Sequence, residues 1–227
     1  EYSAIRVAPH DAENAVVNVL RFHESRATLV FCATREAVKR MHARLVERGF
    51  NAVALSGELS QNERNLALQS LRNGRARVLV ATDVAARGLD LPDLALVIHA
   101  DLPNDGETLV HRSGRTGRAG KKGTAILLVP YPRRKRVEMM LRGARINAEW
   151  IAPPSREDIA RNDRERLLTA LLEPVEVDDE DRALAARLER AMGADAERID
   201  LDGAALKEDP ARLSDEAASI SLFGERR

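Results

Sequence analysis

The residues best suited to handling phosphate lie in one short stretch, His111-Arg-Ser-Gly-Arg-Thr-Gly-Arg118, with Gly120 close behind. Guanidinium groups match phosphate oxygens bidentately and stay charged. Glycines let backbone approach a bound group closely. Three arginines and two glycines in eight residues make a poor helix interior, so the stretch reads as a loop. An arginine aimed at a phosphoryl group neutralises charge that builds during transfer, an effect worth about 10³–10⁵ in rate. Taken alone, the same stretch also reads as a basic surface loop with no function.

Three further clusters stand beside apolar runs. Val80-Ala-Thr-Asp-Val-Ala-Ala-Arg-Gly-Leu-Asp90 leaves an apolar run with Thr82 and Asp83 at its end, and Arg87-Gly88 brings backbone close to whatever binds there. Val30-Phe-Cys-Ala-Thr-Arg35 is a second apolar run ending in polar donors. Gln61 and Arg64 lie one helical turn apart, hence on one face, although Arg64 alone would be a solvated charge. Metal chemistry finds no support, because the five His and one Cys show no zinc spacing. Cys32, the only cysteine, excludes an intrachain disulfide and suits a reducing, cytoplasmic setting. It sits in an apolar run and is expected to be a buried structural thiol.

The elements that must position these clusters are legible as an alternation. The runs Thr28–Cys32, Ala52–Leu55, Arg77–Ala81, Ala95–His99 and Thr124–Val129 are short, continuous and rich in Val, Leu or Ile. Such runs suit strands buried on both faces of a parallel sheet. Between the first two, Val38, Met41 and Leu45 share a helical face, and Gly49 is placed to end that helix. Between the next two, Ser60-Gln-Asn-Glu63 reads as a capping box and Gly74 as a stop. Strand–helix alternation with short links implies an open α/β sheet, on which ligands bind beyond the carboxyl ends of the strands. The polar clusters fall there.

Charge divides the chain in the same way. Residues 1–150 carry 24 Lys and Arg against 16 Asp and Glu, a net of +8; residues 151–227 carry 12 against 20, a net of −8. A basic half can hold phosphates and an acidic half repels them, although an ordinary charged surface would account for the imbalance equally well. Pro153-Pro154 marks the change, after which no strand-like run occurs. Ser155-Arg-Glu-Asp158 is placed to cap a helix carrying Leu167, Leu168, Leu171 and Leu172, stopped before Pro174. A second helix is expected over about 179–192 and a weaker one over 203–223. No run of about 18 apolar residues exists, so no membrane partner is expected. The chain opens on Glu1 and is expected to be a piece of a longer protein.

In this order, Val-Phe-Cys-x-Thr, Gly57 with Gln61-x-x-Arg64, Ala-Thr-Asp-x-Ala-Ala-Arg-Gly-x-Asp and His-Arg-x-Gly-Arg-x-Gly-Arg resemble the second RecA-like domain of DEAD-box RNA helicases. The resemblance covers about residues 1–150 and rests mainly on the last two motifs. It implies a RecA-like, mostly parallel sheet flanked by helices, with a small all-α extension over 151–227. It also implies roles. Arg115 and Arg118 would be fingers on the γ-phosphate of ATP, and His111 would couple to the partner domain. Gly88 and Asp90 would contact the ATP ribose. Arg35, Gly57, Gln61, Arg64 and Thr82 would line the RNA backbone, and Asp83 with Arg112 would tie motifs together. Ser113 and Ser56 depart from the common pattern, where an aliphatic residue and a His stand; Ser113 is shared with the heat-resistant RNA-dependent ATPase and Gu-type subgroup.

The same resemblance implies partners. There is no Gly-x-x-x-x-Gly-Lys-Ser/Thr loop and no Asp-Glu-Ala-Asp run, and Gly120-Lys-Lys-Gly123 has the spacing of a β-turn instead. ATP and its Mg²⁺ would therefore be held by an N-terminal RecA-like domain, and this chain alone should be inactive. The subgroup carries a short dimerisation module after this domain, so residues 155–223 are expected to form a homodimer, with packing back onto the sheet as the other reading. A catalytically silent RNA-binding scaffold and half of a related DNA helicase are the competing functions.

Overall fold

Four-residue apolar runs cannot bury both of their faces alone; they do so here by lying side by side under helices. The computed structural model describes residues 1–88, 94–117, 122–172 and 183. The elements run β1 (Tyr2–Val7), α1 (Ala12–His23), β2 (Thr28–Phe31), α2 (Arg35–Glu47), β3 (Ala52–Leu55), α3 (Gln61–Arg72) and β4 (Val78–Ala81). They continue with α4 (Asp83–Ala86), β5 (Leu96–His99), α5 (Gly106–Ser113), β6 (Thr124–Pro130), α6 (Arg134–Gly143), β7 (Glu149–Ile151) and α7 (Arg156–Leu172). The strands form one sheet in the order β3-β4-β2-β5-β6-β1-β7, and each neighbouring pair is parallel. Every strand therefore ends at the same edge.

Alternation along β2 shows how the core is built. Val30 joins Val16, Val19 and Leu20 of α1 and Val38 and Leu45 of α2 on one face. Leu29 and Phe31 join Leu68 and Leu71 of α3 and Leu79 of β4 on the other. Leu109 of α5 and Val137 and Leu141 of α6 cover β6 with Leu127 and Val129. The chain leaves β2 toward β3 and leaves β4 toward β5, so the connections reverse around β2 and open a crevice at its carboxyl end.

Local signals act as their chemistry dictates. Ser60 caps α3 and Glu63 returns the bond, a complete capping box. Gly49 and Gly74 take φ of +81° and +70° just past α2 and α3, which a side chain would resist. Two strands lie outside the five expected runs: β1, whose Ser3 and Arg6 interrupt its apolar character, and the three-residue β7. Pairing with β6 and with each other recruits them. A second correction concerns His111–Ser113, expected in a loop. They form the last turn of α5, where His111 and Arg112 complement the negative end of the helix, and the loop begins at Gly114.

The chain divides into two compact units, Glu1–Asn162 and Asp163–Arg227. In the first, Ser155 caps α7 through Asp158, each accepting the other's backbone N–H at 3.1 Å. Asn18 donates to the Pro154 carbonyl at 3.3 Å and Ile159 is buried, tying the start of α7 to the first unit. In the second, Leu167, Leu168, Leu171 and Leu172 are all exposed on α7. The helices expected over 179–192 and 203–223, and the turn at Gly120, lie outside the described residues. Among the described residues, no helix is long and apolar enough to cross a membrane.

Candidate functional site

The centre of the crevice is an ion pair. Thr82, leaving β4, caps α4 by accepting the Ala85 N–H at 3.3 Å, which sets Asp83 in the first turn. Arg112, in the last turn of α5, meets it bidentately, Nε and Nη2 donating to the two carboxylate oxygens at 2.6 Å each. Its third arm, Nη1, donates to the Asp101 carbonyl at 2.7 Å. The guanidinium lies 5.0 Å from the Phe31 ring centroid and the side chain is only 4% exposed. The Asp101 carboxylate accepts the Ala33 N–H at 2.8 Å, so the exits of β2, β4 and β5 and the end of α5 are laced into one unit. A buried charge so desolvated persists only because each arm is matched.

A second set of contacts holds the other side of the same turn. His99, last residue of β5, is fully buried, and its Nε2 lies 3.1 Å from the Ser113 hydroxyl. Burial first, and then the Arg112 charge, push His99 down to about 3, so the ring is neutral. Its ring stacks on Phe31 with centroids 6.1 Å apart, and its Nδ1 has no partner among the described residues. Thr116 donates its hydroxyl to the Leu94 carbonyl. Its backbone N–H reaches Ser113, and that of Arg115 reaches Arg112. Half-buried Arg115 thus stands between fixed neighbours.

Arg115, Arg112, His111, Asp83, Arg87 and Phe31 line an open pocket of about 320 Å³ at this edge. That is the low end for a small-molecule site. Gly88 follows with φ +70°, a conformation that glycine adopts freely, and a side chain there would meet open space. Asp90 and Arg118 lie outside the described residues.

The rest of the expected residues form a rim beside β3. Arg35, at the start of α2, lies over Gly57 so closely that a Cβ there would sit 3.3 Å from Nη2. Arg35 reaches Glu58 at 3.2 Å and Lys39 does so at 3.5 Å. The Lys39 and Arg35 charges hold the Glu58 carboxyl below its ordinary range. Arg64 donates to the Ser56 carbonyl at 3.4 Å, and Gln61 to Asn65 at 3.2 Å. Thr82 stands between the rim and the crevice, because β4 lies between β3 and β2. Cys32 is 1% exposed, and burial pushes its thiol up to about 12, as an inert structural group requires.

Sequence reasoning singled out the arginines and set Asp83 with Arg112, but passed over the other residues that fix them. His99 ends an apolar run and Asp101 follows it, and each looks like an ordinary strand exit. Ser113 was visible only as a departure from a common pattern. Among the described residues, no group of three or more His, Cys, Asp or Glu could hold a metal.

Comparison with known proteins agrees with this geometry. Residues 11–120 match the helicase conserved C-terminal domain. A DEAD-box ATP-dependent RNA helicase 3B, chloroplastic, of Zea mays is 45% identical over 144 residues, 63% of this chain and 19% of that protein. The crystal structure of Escherichia coli SrmB bound to the regulator of ribonuclease activity A superposes with a TM-score of 0.62 at 38% identity, covering 70% of this chain and 94% of that one. S. cerevisiae Dbp5 bound to RNA and ADP BeF3 superposes with a TM-score of 0.64 at 25% identity, covering 72% and 44%. The chain belongs to the DEAD-box ATP-dependent RNA helicases, as their C-terminal RecA-like domain. It spans about a fifth of the length of the curated maize relative.

Proposed function

We propose that this chain is the half of an ATP-dependent RNA helicase that completes the ATP site and grips RNA. ATP sits mainly on an N-terminal RecA-like domain, which also carries the Mg²⁺, since this chain has no phosphate loop and no Asp-Glu-Ala-Asp run. Arg115, with Arg118, faces the γ-phosphate as the domains close and neutralises the charge that develops there. His111 couples to the partner's catalytic region, and Gly88 and Asp90 meet the ribose. The observation that carries this reading is Arg115 on the wall of the crevice pocket, flanked by Arg112, whose own charge is already matched by Asp83.

Arg35, Gly57, Gln61, Arg64 and Thr82 contact the RNA backbone, exchanging their present Glu58, Asn65 and Ser56 partners for phosphate and sugar. Contacts of that kind are indifferent to sequence and suit local opening of short duplexes. The exposed leucines of α7 support a homodimer through residues 155–223, of the kind found in the heat-resistant and Gu-type subgroup. The inert thiol suits a cytoplasmic protein.

The test is RNA-stimulated ATP hydrolysis by the chain joined to its N-terminal domain. Arg115→Ala is expected to lower kcat by about 10³ or more with KM for ATP little changed. An unchanged kcat would remove the finger role, and no turnover in the wild-type joined protein would favour a silent RNA-binding scaffold.

A further inference from the structure

We infer that His99 and Ser113 are a positioning pair for the Arg115 finger, a role that rests on the finger reading above. α5 ends on Ser113, and Arg115 lies two residues beyond. Two anchors hold the flanks of this turn: the Arg112 lattice before it and the Thr116 contact with the Leu94 carbonyl after it. Neither holds the last helical residue against the sheet. The bond of 3.1 Å between Ser113 Oγ and His99 Nε2 does, and it joins α5 directly to β5.

The pair is also matched chemically. His99 is wholly buried, and among the described residues the Ser113 hydroxyl is the partner of its ring, Nδ1 having none. An apolar residue at 113 would strand both ring nitrogens. A bare acceptor is tolerated in proteins more often than a bare donor. The favoured tautomer is therefore Nε2–H donating to Ser113 Oγ, with Nδ1 the unmatched acceptor. His99 also stacks on Phe31, against which Arg112 packs, so a displaced imidazole would disturb the Arg112 lattice as well. Serine at 113 is thus paired with histidine at 99. Small displacements of a catalytic group cost up to about 10²-fold in rate.

The experiment is ATP hydrolysis by the chain joined to its N-terminal domain, comparing Ser113→Ala, Ser113→Thr, Arg115→Ala and Ser113→Ala with Arg115→Ala. Ser113→Ala should lower kcat about 10- to 100-fold while leaving KM for ATP and RNA affinity near wild type. Ser113→Thr should restore the rate, and Ser113→Ala should add nothing once Arg115 is gone. Histidine ¹⁵N spectra of the chain itself should show Nε2 protonated, with its signal moving in Ser113→Ala. Losses that multiply in the double variant, or a Ser113→Ala enzyme with wild-type kcat, would overturn the pairing. If Arg115→Ala itself leaves kcat unchanged, the finger reading fails instead.

Discussion

Removing the Asp83 carboxylate should be among the most damaging single changes this domain can suffer outside its apolar core. Arg112 is 4% exposed and gives two of its three arms to Asp83 at 2.6 Å. In Asp83→Ala the guanidinium keeps only the Asp101 carbonyl and becomes an uncompensated buried charge. Breaking such a pair costs about 3–5 kcal/mol. Asp83 is itself 36% exposed, so water can reach the vacated place and the lower end applies. About 3 kcal/mol in a domain of this size corresponds to a fall in Tm of roughly 6–12 °C. Urea and thermal unfolding followed by circular dichroism would measure it. Glu58→Gln is the internal comparison, because the Arg35–Glu58 pair is more than half exposed on both sides and solvent screens it. Replacing both partners, as Asp83→Leu with Arg112→Met, should recover most of the loss. A cost for Asp83→Ala no larger than that of Glu58→Gln would refute the argument that burial makes this pair matter.

Two further outcomes follow from the structure. His99 titrates near 3 when folded against an ordinary 6.5, so the unfolded chain takes up that proton first. Stability present above pH 6.5 is then lost as pH falls toward 3, at up to about 1.4 kcal/mol per unit. Unfolding midpoints between pH 6.5 and 5, above the carboxylate range, should show this slope, and His99→Gln should flatten it; an identical slope in the variant would exclude His99 as its source. If the leucines of α7 form a dimer interface, light scattering should give twice the 25.1 kDa of one chain, falling to one chain in Leu167→Ser with Leu171→Ser. A wild-type monomer at all concentrations would remove the dimer from the account.

The sheet was legible where strands are central. β2, β4 and β5 are buried along their whole length and are apolar apart from Thr28 and His99. β1 and β7 were not, because Ser3, Arg6 and Glu149 break the pattern, and pairing rather than composition makes them strands. The candidate site was legible as residue types only in part: His111, Arg112 and Arg115, singled out by type and spacing, line one pocket. Its supporting contacts, apart from Asp83 with Arg112, were not. Asp101 acts through a main-chain carbonyl and His99 through a serine fourteen positions away, and such pairings exist only once α5 is laid against β5. The arginine-rich stretch misled in one respect: its charges suit a helix C-terminus, so three of its residues are helical.

The central claim is that this chain completes an ATP site that it cannot form alone. RNA-stimulated ATP turnover should be measured for the chain alone, for its N-terminal RecA-like domain alone, and for the two joined. The account predicts turnover only when they are joined. Turnover by the isolated chain would contradict it.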